Sequence, residues 1–202
     1  YIQPFMGLSG GGQTTQVSGA VGGWKELGRT TLGSAASSID VSSLANKRYL
    51  MVLQDLQYAS GNTGNFNPYT KFNSTTGSEY ALRYNGNGGS EVSAVNNTNG
   101  FNTAVADASD YFGVVYTANL SNKEKLSIAH YAIQNAIGAA TAPKRGEVVG
   151  KWVNTSDAIH TISSNNLSAG DYDTGSEVVV LGWDEADTHT TNFWEELASV
   201  EL

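Results

Sequence analysis

Between Trp24 and Trp183 the chain never runs far before meeting a turn signal. Clusters of Gly, Asn, Ser, Asp and Thr return about every 8 to 12 residues, and the runs between them are rich in Val, Ile, Tyr and Thr. This punctuation limits the fold more than any other feature. A buried helix needs roughly 10 to 12 residues of one period, whereas strands are satisfied by four to eight. Composition agrees: charged residues are only 15% and glycines number 23, a balance suited to short strands and tight turns. The expectation is an all-β chain of about nine or ten short strands, folded as an antiparallel β-sandwich or jelly roll with extended terminal arms.

Three regions follow. Residues 1–22 form a Gly-rich N-terminal arm, expected to be flexible, headed by the apolar octet YIQPFMGL. Residues 23–184 form the sandwich, and residues 185–202 a C-terminal arm ending in FWEELASVEL. The chain opens on Tyr1 rather than Met, so a preceding segment, removed or left out, is compatible with the sequence. Within the sandwich, strands are expected at residues 24–32, 38–41, 48–57, 110–120, 125–134 and 146–154. Residues 48–57 are the most continuous apolar run, expected to be a central strand covered on both faces. Residues 69–73 and 79–85 read as a hairpin, with Tyr80, Leu82 and Tyr84 alternating along one face. Residues 85–104 read as a turn-rich rim. Two apolar runs, residues 159–162 and 178–181, read as adjacent strands joined by a polar loop.

The net charge of −8 and the lack of a Lys/Arg cluster argue against nucleic acid. No apolar run approaches the roughly 20 residues of a membrane helix, so no membrane insertion is expected. With no cysteine there is no disulfide or thiolate metal site. His130, His160 and His189 lack ligand spacing and read as ordinary strand or linker residues. Asp171 and Asp173 are two apart, as in Ca²⁺ loops, but the remaining acidic positions are missing, and turn aspartates bond their own backbone. No nucleophile elbow or marked carboxylate pair is present. No enzyme activity, cofactor or metal is therefore expected. The five Asn-x-Ser/Thr triplets, at Asn73, Asn96, Asn119, Asn154 and Asn166, read mostly as chance in so Asn-rich a chain.

Two surface features remain. Ile2, Phe5, Met6 and Leu8 are too apolar to suit open water, which favours an arm docked on a neighbouring subunit. Phe193, Trp194, Leu197 and Val200 give the C-terminal arm the same character. Its Trp-Glu-Leu-Leu spacing partly repeats that of residues 24–32, and a strand or extended arm is preferred there over a helix. Tyr58, Tyr69, Tyr84 and Phe101 lie in or beside Asn/Gly-rich loops. They are candidate glycan contacts, with burial in the core or at a subunit contact the favoured alternative.

The closing stretch, residues 157–184, resembles the end of many bacteriophage and environmental-virus virion proteins from tail fibres and capsid decorations. The residues that carry the likeness are Ile159 and Ile162, Gly170 and Asp171, Gly175 and Ser176, residues 178–181, and Gly182 with Trp183. Residues 24–32, 39–41, 48–53, 71–80 and 87–89 add to it, and the segment past Trp183 departs from it. The resemblance implies a β-sandwich virion component serving as coat, decoration, spike or fibre. Its partners would be copies of itself and other virion proteins, and its place the virion. Two alternatives stand beside it: a carbohydrate- or receptor-binding module of a virion, with a host-surface glycan as partner, and a cell-surface filament subunit using donor-strand exchange.

Overall fold

The computed structural model describes residues 23–62, 64–65, 67–102, 107–184 and 187. The N-terminal arm and, apart from Asp187, the C-terminal arm, with Ile2, Phe5, Met6, Leu8, Phe193, Trp194, Leu197, Val200 and His189, lie outside the described residues.

Twelve strands are present among the described residues: β1 Lys25–Thr31, β2 Ser38–Val41, β3 Tyr49–Leu56, β4 Pro68–Phe72, β5 Tyr80–Gly86, β6 Val92–Asn97, β7 Phe101–Asn102, β8 Tyr111–Ala118, β9 Lys125–Ile133, β10 Lys144–Trp152, β11 Ile162–Asn166 and β12 Glu177–Trp183. They build two antiparallel sheets, one of eight strands in the order β1-β12-β3-β8-β9-β10-β5-β6 and one of four in the order β2-β11-β4-β7. The expected β-sandwich is present, and no helix occurs among the described residues. Only β8-β9-β10 and β5-β6 are joined as direct hairpins. Elsewhere the chain passes from one sheet to the other, so partners such as β1 and β12 come from opposite ends of the sequence.

Four expectations need correction. Residues 69–73 and 79–85 do form strands, but not a hairpin, because β4 belongs to the small sheet and β5 to the large one. The Tyr80 hydroxyl, meeting the Phe72 amide at 2.8 Å, ties this crossing together. Residues 159–162 and 178–181 likewise fall in different sheets, and only Ile162 of the first run is in a strand. Residues 85–104 are not all rim, since they contain β6 and β7. β3 alternates between buried and half-buried positions, because the small sheet covers only one of its faces.

The core lies between the sheets. Phe72, Tyr80, Phe101 and Trp152 meet there with ring centroids 5.2 to 6.5 Å apart, mostly edge to face, which suits the ring quadrupoles. Phe101 sits on the small sheet's shortest strand and lays its ring against Gly150 of β10. A Cβ at that glycine would overlap the ring. Gly146, opposite Tyr131 on β9, makes the same kind of room for the tyrosine. Gln54 joins the two sheets through its amide, which donates to Thr70 at 2.8 Å and accepts from the Tyr111 hydroxyl at 3.3 Å. Lys125 is fully buried, donates to the Asn154 carbonyl at 2.7 Å, and holds its ammonium 5.2 Å from the Trp152 ring centre. Burial lowers its pKa, and the charge of Asp157 partly offsets that.

Gly150→Val is expected to destabilise the domain by about 1 to 3 kcal/mol, because the added side chain displaces Phe101. Gly33→Ala, at an open position, should change stability by less than about 0.5 kcal/mol. Urea unfolding of both variants tests this, and equal midpoints would show that the Phe101 seat does not matter.

Candidate functional site

Because the small sheet covers only the inner face of the large one, the outer face of β3, β8, β9, β10, β5 and β6 is open. Strand alternation decides what it presents. Inward positions such as Val115, Ala129 and Val148 are buried, so their neighbours Tyr116, Ile128 and Val149 point outward. These neighbours are large and apolar. Tyr116 faces Ile128 in register and Ile128 faces Val149, giving a continuous row across three strands. Leu126 is 62% exposed, Ile128 52% and Val95 72%.

The row broadens into a shallow trough with two lobes, of about 430 and 490 Å³, that share Leu126 and Ile128. One lobe is bounded by Trp24, Tyr49 and Trp183, the last two with rings stacked at 5.1 Å. The other reaches Val149 and Val95. The cations at its margin are already matched: Lys151 donates to Glu124 at 2.7 Å, and Arg83 pairs with Glu91. Arg83 stands in register with Val149 and Lys151 with Leu126, so the apolar row ends on these two paired cations. Monomeric proteins seldom leave so large an apolar surface open unless it binds something.

The two edges of this sheet differ. β1 carries Lys25, Glu26 and Arg29 and has a register shift near Leu27, devices that discourage a further strand from adding. β6, VSAVNN, has no charge and no proline. A bulge near Asn96, whose φ is +51°, interrupts its pairing with β5, but Val92 and Val95 remain exposed.

The sequence-predicted residues fare unevenly. Phe101 is 1% exposed and belongs to the core, which is the favoured alternative for it and removes it from the candidate glycan contacts. Tyr58 is half-buried, with its hydroxyl donating to the Gly64 carbonyl at 2.7 Å. Tyr69 and Tyr84 are both half-buried and near each other. Burial pushes the Tyr69 phenol up, and Tyr84 adds to the shift. His130 and His160 are exposed, and the His160 ring meets its neighbour Thr161 at 3.2 Å. The Asp173 carboxylate accepts from the Thr174 amide at 2.7 Å, the turn role expected of it. No group of three or more His, Asp or Glu side chains converges on a metal-sized site among the described residues.

The asparagines of these triplets have structural partners of their own. Asn73 accepts from the amides of His160 and Thr161 at 2.8 and 3.1 Å and donates to the Ala158 carbonyl at 2.9 Å. Asn119 accepts from the Ile159 amide and donates to the Lys47 carbonyl. Asn166 holds the Asn67 and Ser168 amides, and Asn154 those of Ser156 and Asp157. Four of the five therefore fasten loops. Sequence reasoning missed this, although Asn is known to substitute for backbone partners in turns.

A charged patch lies at the far end of the outer face. Burial raises the Asp55 carboxyl, and the charges of Asp110 and Glu177 raise it further. Compared with protein-family models, with curated proteins and with solved structures, the chain matches none of them.

Two predictions follow from these contacts. Asn73→Ala should cost about 1 to 3 kcal/mol, since it strips three backbone groups of their partner; a change below about 0.5 kcal/mol in urea would contradict the fastening role. The raised Asp55 carboxyl means that folding disfavours its ionised form. Wild-type stability from this group therefore increases as pH falls through the raised value, and is smallest once the carboxyl is ionised in both states. Asp55→Asn should raise the melting temperature at pH 7, with the gain shrinking toward pH 3. An equal gain at both pH values would sink the electrostatic explanation.

Proposed function

We propose that this protein is a non-enzymatic structural component of a virus particle, in a coat, decoration, spike or tail, that assembles with copies of itself through its sheet edges and terminal arms. The observation that carries the assembly part is the β6 edge, which lacks charge and proline and exposes Val92 and Val95. An open edge offers backbone donors and acceptors that a strand from another subunit can satisfy. The virion part rests on the resemblance of residues 157–184 and the segments that agree with it.

A second reading, a receptor-binding module, has the half-buried pair Tyr69 and Tyr84 in its favour, since sugar rings stack on aromatic faces. A cell-surface filament subunit would use the same edge.

Sedimentation over a range of concentrations tests the assembly part. The wild-type chain is expected to associate. Val92→Lys with Val95→Lys should weaken association at least about tenfold with little loss of thermal stability, because both side chains are exposed. A chain that stays monomeric, or a double variant that associates as well as wild type, refutes assembly through this edge. Antibody labelling of purified particles from the source separates virion from filament, and a glycan array tests the receptor reading.

A further inference from the structure

The rows of side chains on the outer face of the large sheet complement themselves when turned end for end. One row runs in register across seven strands, from Glu26 on β1 through Leu181, Met51, Tyr116, Ile128 and Val149 to Arg83 on β5. An anion stands at one end, a cation at the other, and Tyr116 of β8 in the middle. A second row begins at Glu177 and Asp55, passes Phe112 of β8 and ends at Arg145. A third begins at Trp183, passes Ala118 of β8 and ends at Lys151. We propose that a second copy of this chain packs its outer face on this one, about a two-fold axis that runs along β8.

Such an axis reverses each row over itself. Arg83 then meets Glu26 of the other copy, Arg145 meets Glu177, and Lys151 meets the ring of Trp183, whose face suits a cation. Between these ends Tyr116 faces Tyr116, and Ile128 faces Met51. The remaining row brings Glu147 beside Arg29, the register partner of Val179. An axis across the strands would instead lay β10 on β10 and β5 on β5, gathering Arg83, Arg145 and Lys151 with their own copies, which like charges oppose. Aligned sheets cross at about 30°, which displaces strands three steps from the axis by about 7 Å along their length. An arginine and a glutamate together span that offset.

The acidic end has charge to spare. Glu26 and Glu177 share one arginine, Arg29, and Asp55 stands in register with Glu177, so three carboxylates meet one guanidinium. Arg83, Arg145 and Lys151 have acidic neighbours of their own, but these pairs are open to water and hold weakly, so a facing carboxylate can share the cations. The face is also large enough. Seven strands about 4.8 Å apart, with outward side chains spread over about 24 Å of strand, offer about 800 Å² per copy. A standard stable interface buries about that much on each partner. The contact goes beyond association through the β6 edge, because β6 lies outside the seven strands that the axis relates, four steps from β8.

The chain has no cysteine, so single-cysteine variants of the full-length protein test the packing. Ala118→Cys lies on the axis strand and faces its own copy, whereas Asp40→Cys is exposed on the small sheet. A short bis-maleimide is expected to join Ala118→Cys chains into covalent dimers and to leave Asp40→Cys chains single. Ile128→Glu, added to Ala118→Cys, should lower the association constant in sedimentation and the cross-link yield at least about tenfold, because each interface would bury the new charge twice. Its circular dichroism and melting temperature, at a dilution where both proteins are monomeric, should match those of the parent. A chain that stays monomeric, including one whose outer face another molecule or segment covers, overturns the proposal. Association without the residue-118 cross-link overturns it too and gives self-association to another surface, as does an Ile128→Glu variant that dimerises like its parent. Val92→Lys with Val95→Lys reads the β6 edge and Ala118→Cys reads this face, so a failure of one is distinct from a failure of the other.

Discussion

The seat of Phe101 on Gly150 is the contact on which the sandwich depends. β7, which supplies Phe101, is two residues long and pairs only with β4, so its backbone bonds alone would hold it weakly. What fixes it is a ring laid on a glycine of the opposite sheet, flanked by Phe72 and Tyr80. A dense aromatic cluster of this kind brings together β4 and β7 of the small sheet with β10 and β5 of the large one. Gly146 makes room for the ring of Tyr131 on the neighbouring strand β9 of the same sheet. Large rings set against small positions favour close packing of the interior.

The loops are secured differently. The chain has no cysteine and few charges, so neither disulfides nor dense ion-pair networks hold its connections. Asparagine amides take that role. One side chain both donates and accepts, so Asn73 satisfies three groups of the 158–161 segment at once. Asn119 approaches the same segment from the β8–β9 turn. This explains why a protein so rich in turn residues can keep long connections ordered between its sheets.

Fold class was legible because it depends on period and punctuation, which are local. Tyr80, Leu82 and Tyr84 alternated as expected, and β2 fell on the expected residues. Pairing was not legible, because a strand's partner depends on which sheet it joins, and β4 and β5 look like a hairpin in sequence while a sheet crossing separates them. Phe101 was misplaced for a related reason. Its Asn/Gly-rich surroundings signal surface, yet the chain turns inward for two residues at that point. The outer apolar face could have been read in part. In β9 both alternating sets contain apolar residues, so Leu126 and Ile128 were available as exposed candidates once one face was assigned to the core.

The pairing of β1 with β12 has a kinetic consequence. The large sheet lacks its β12 strand until residue 183 has been made, whereas the β8-β9-β10 meander can form from neighbouring sequence alone. Contacts between distant segments form slowly, since the intervening chain must be ordered first. During synthesis β3 would therefore stand for a time without β12 at its side, and β2 and β4 of the small sheet without β11 between them. Apolar inner positions of both sheets would be open to water then. The abundance of Gly, Asn and Ser between strands keeps those early segments polar enough to wait for the end of the chain.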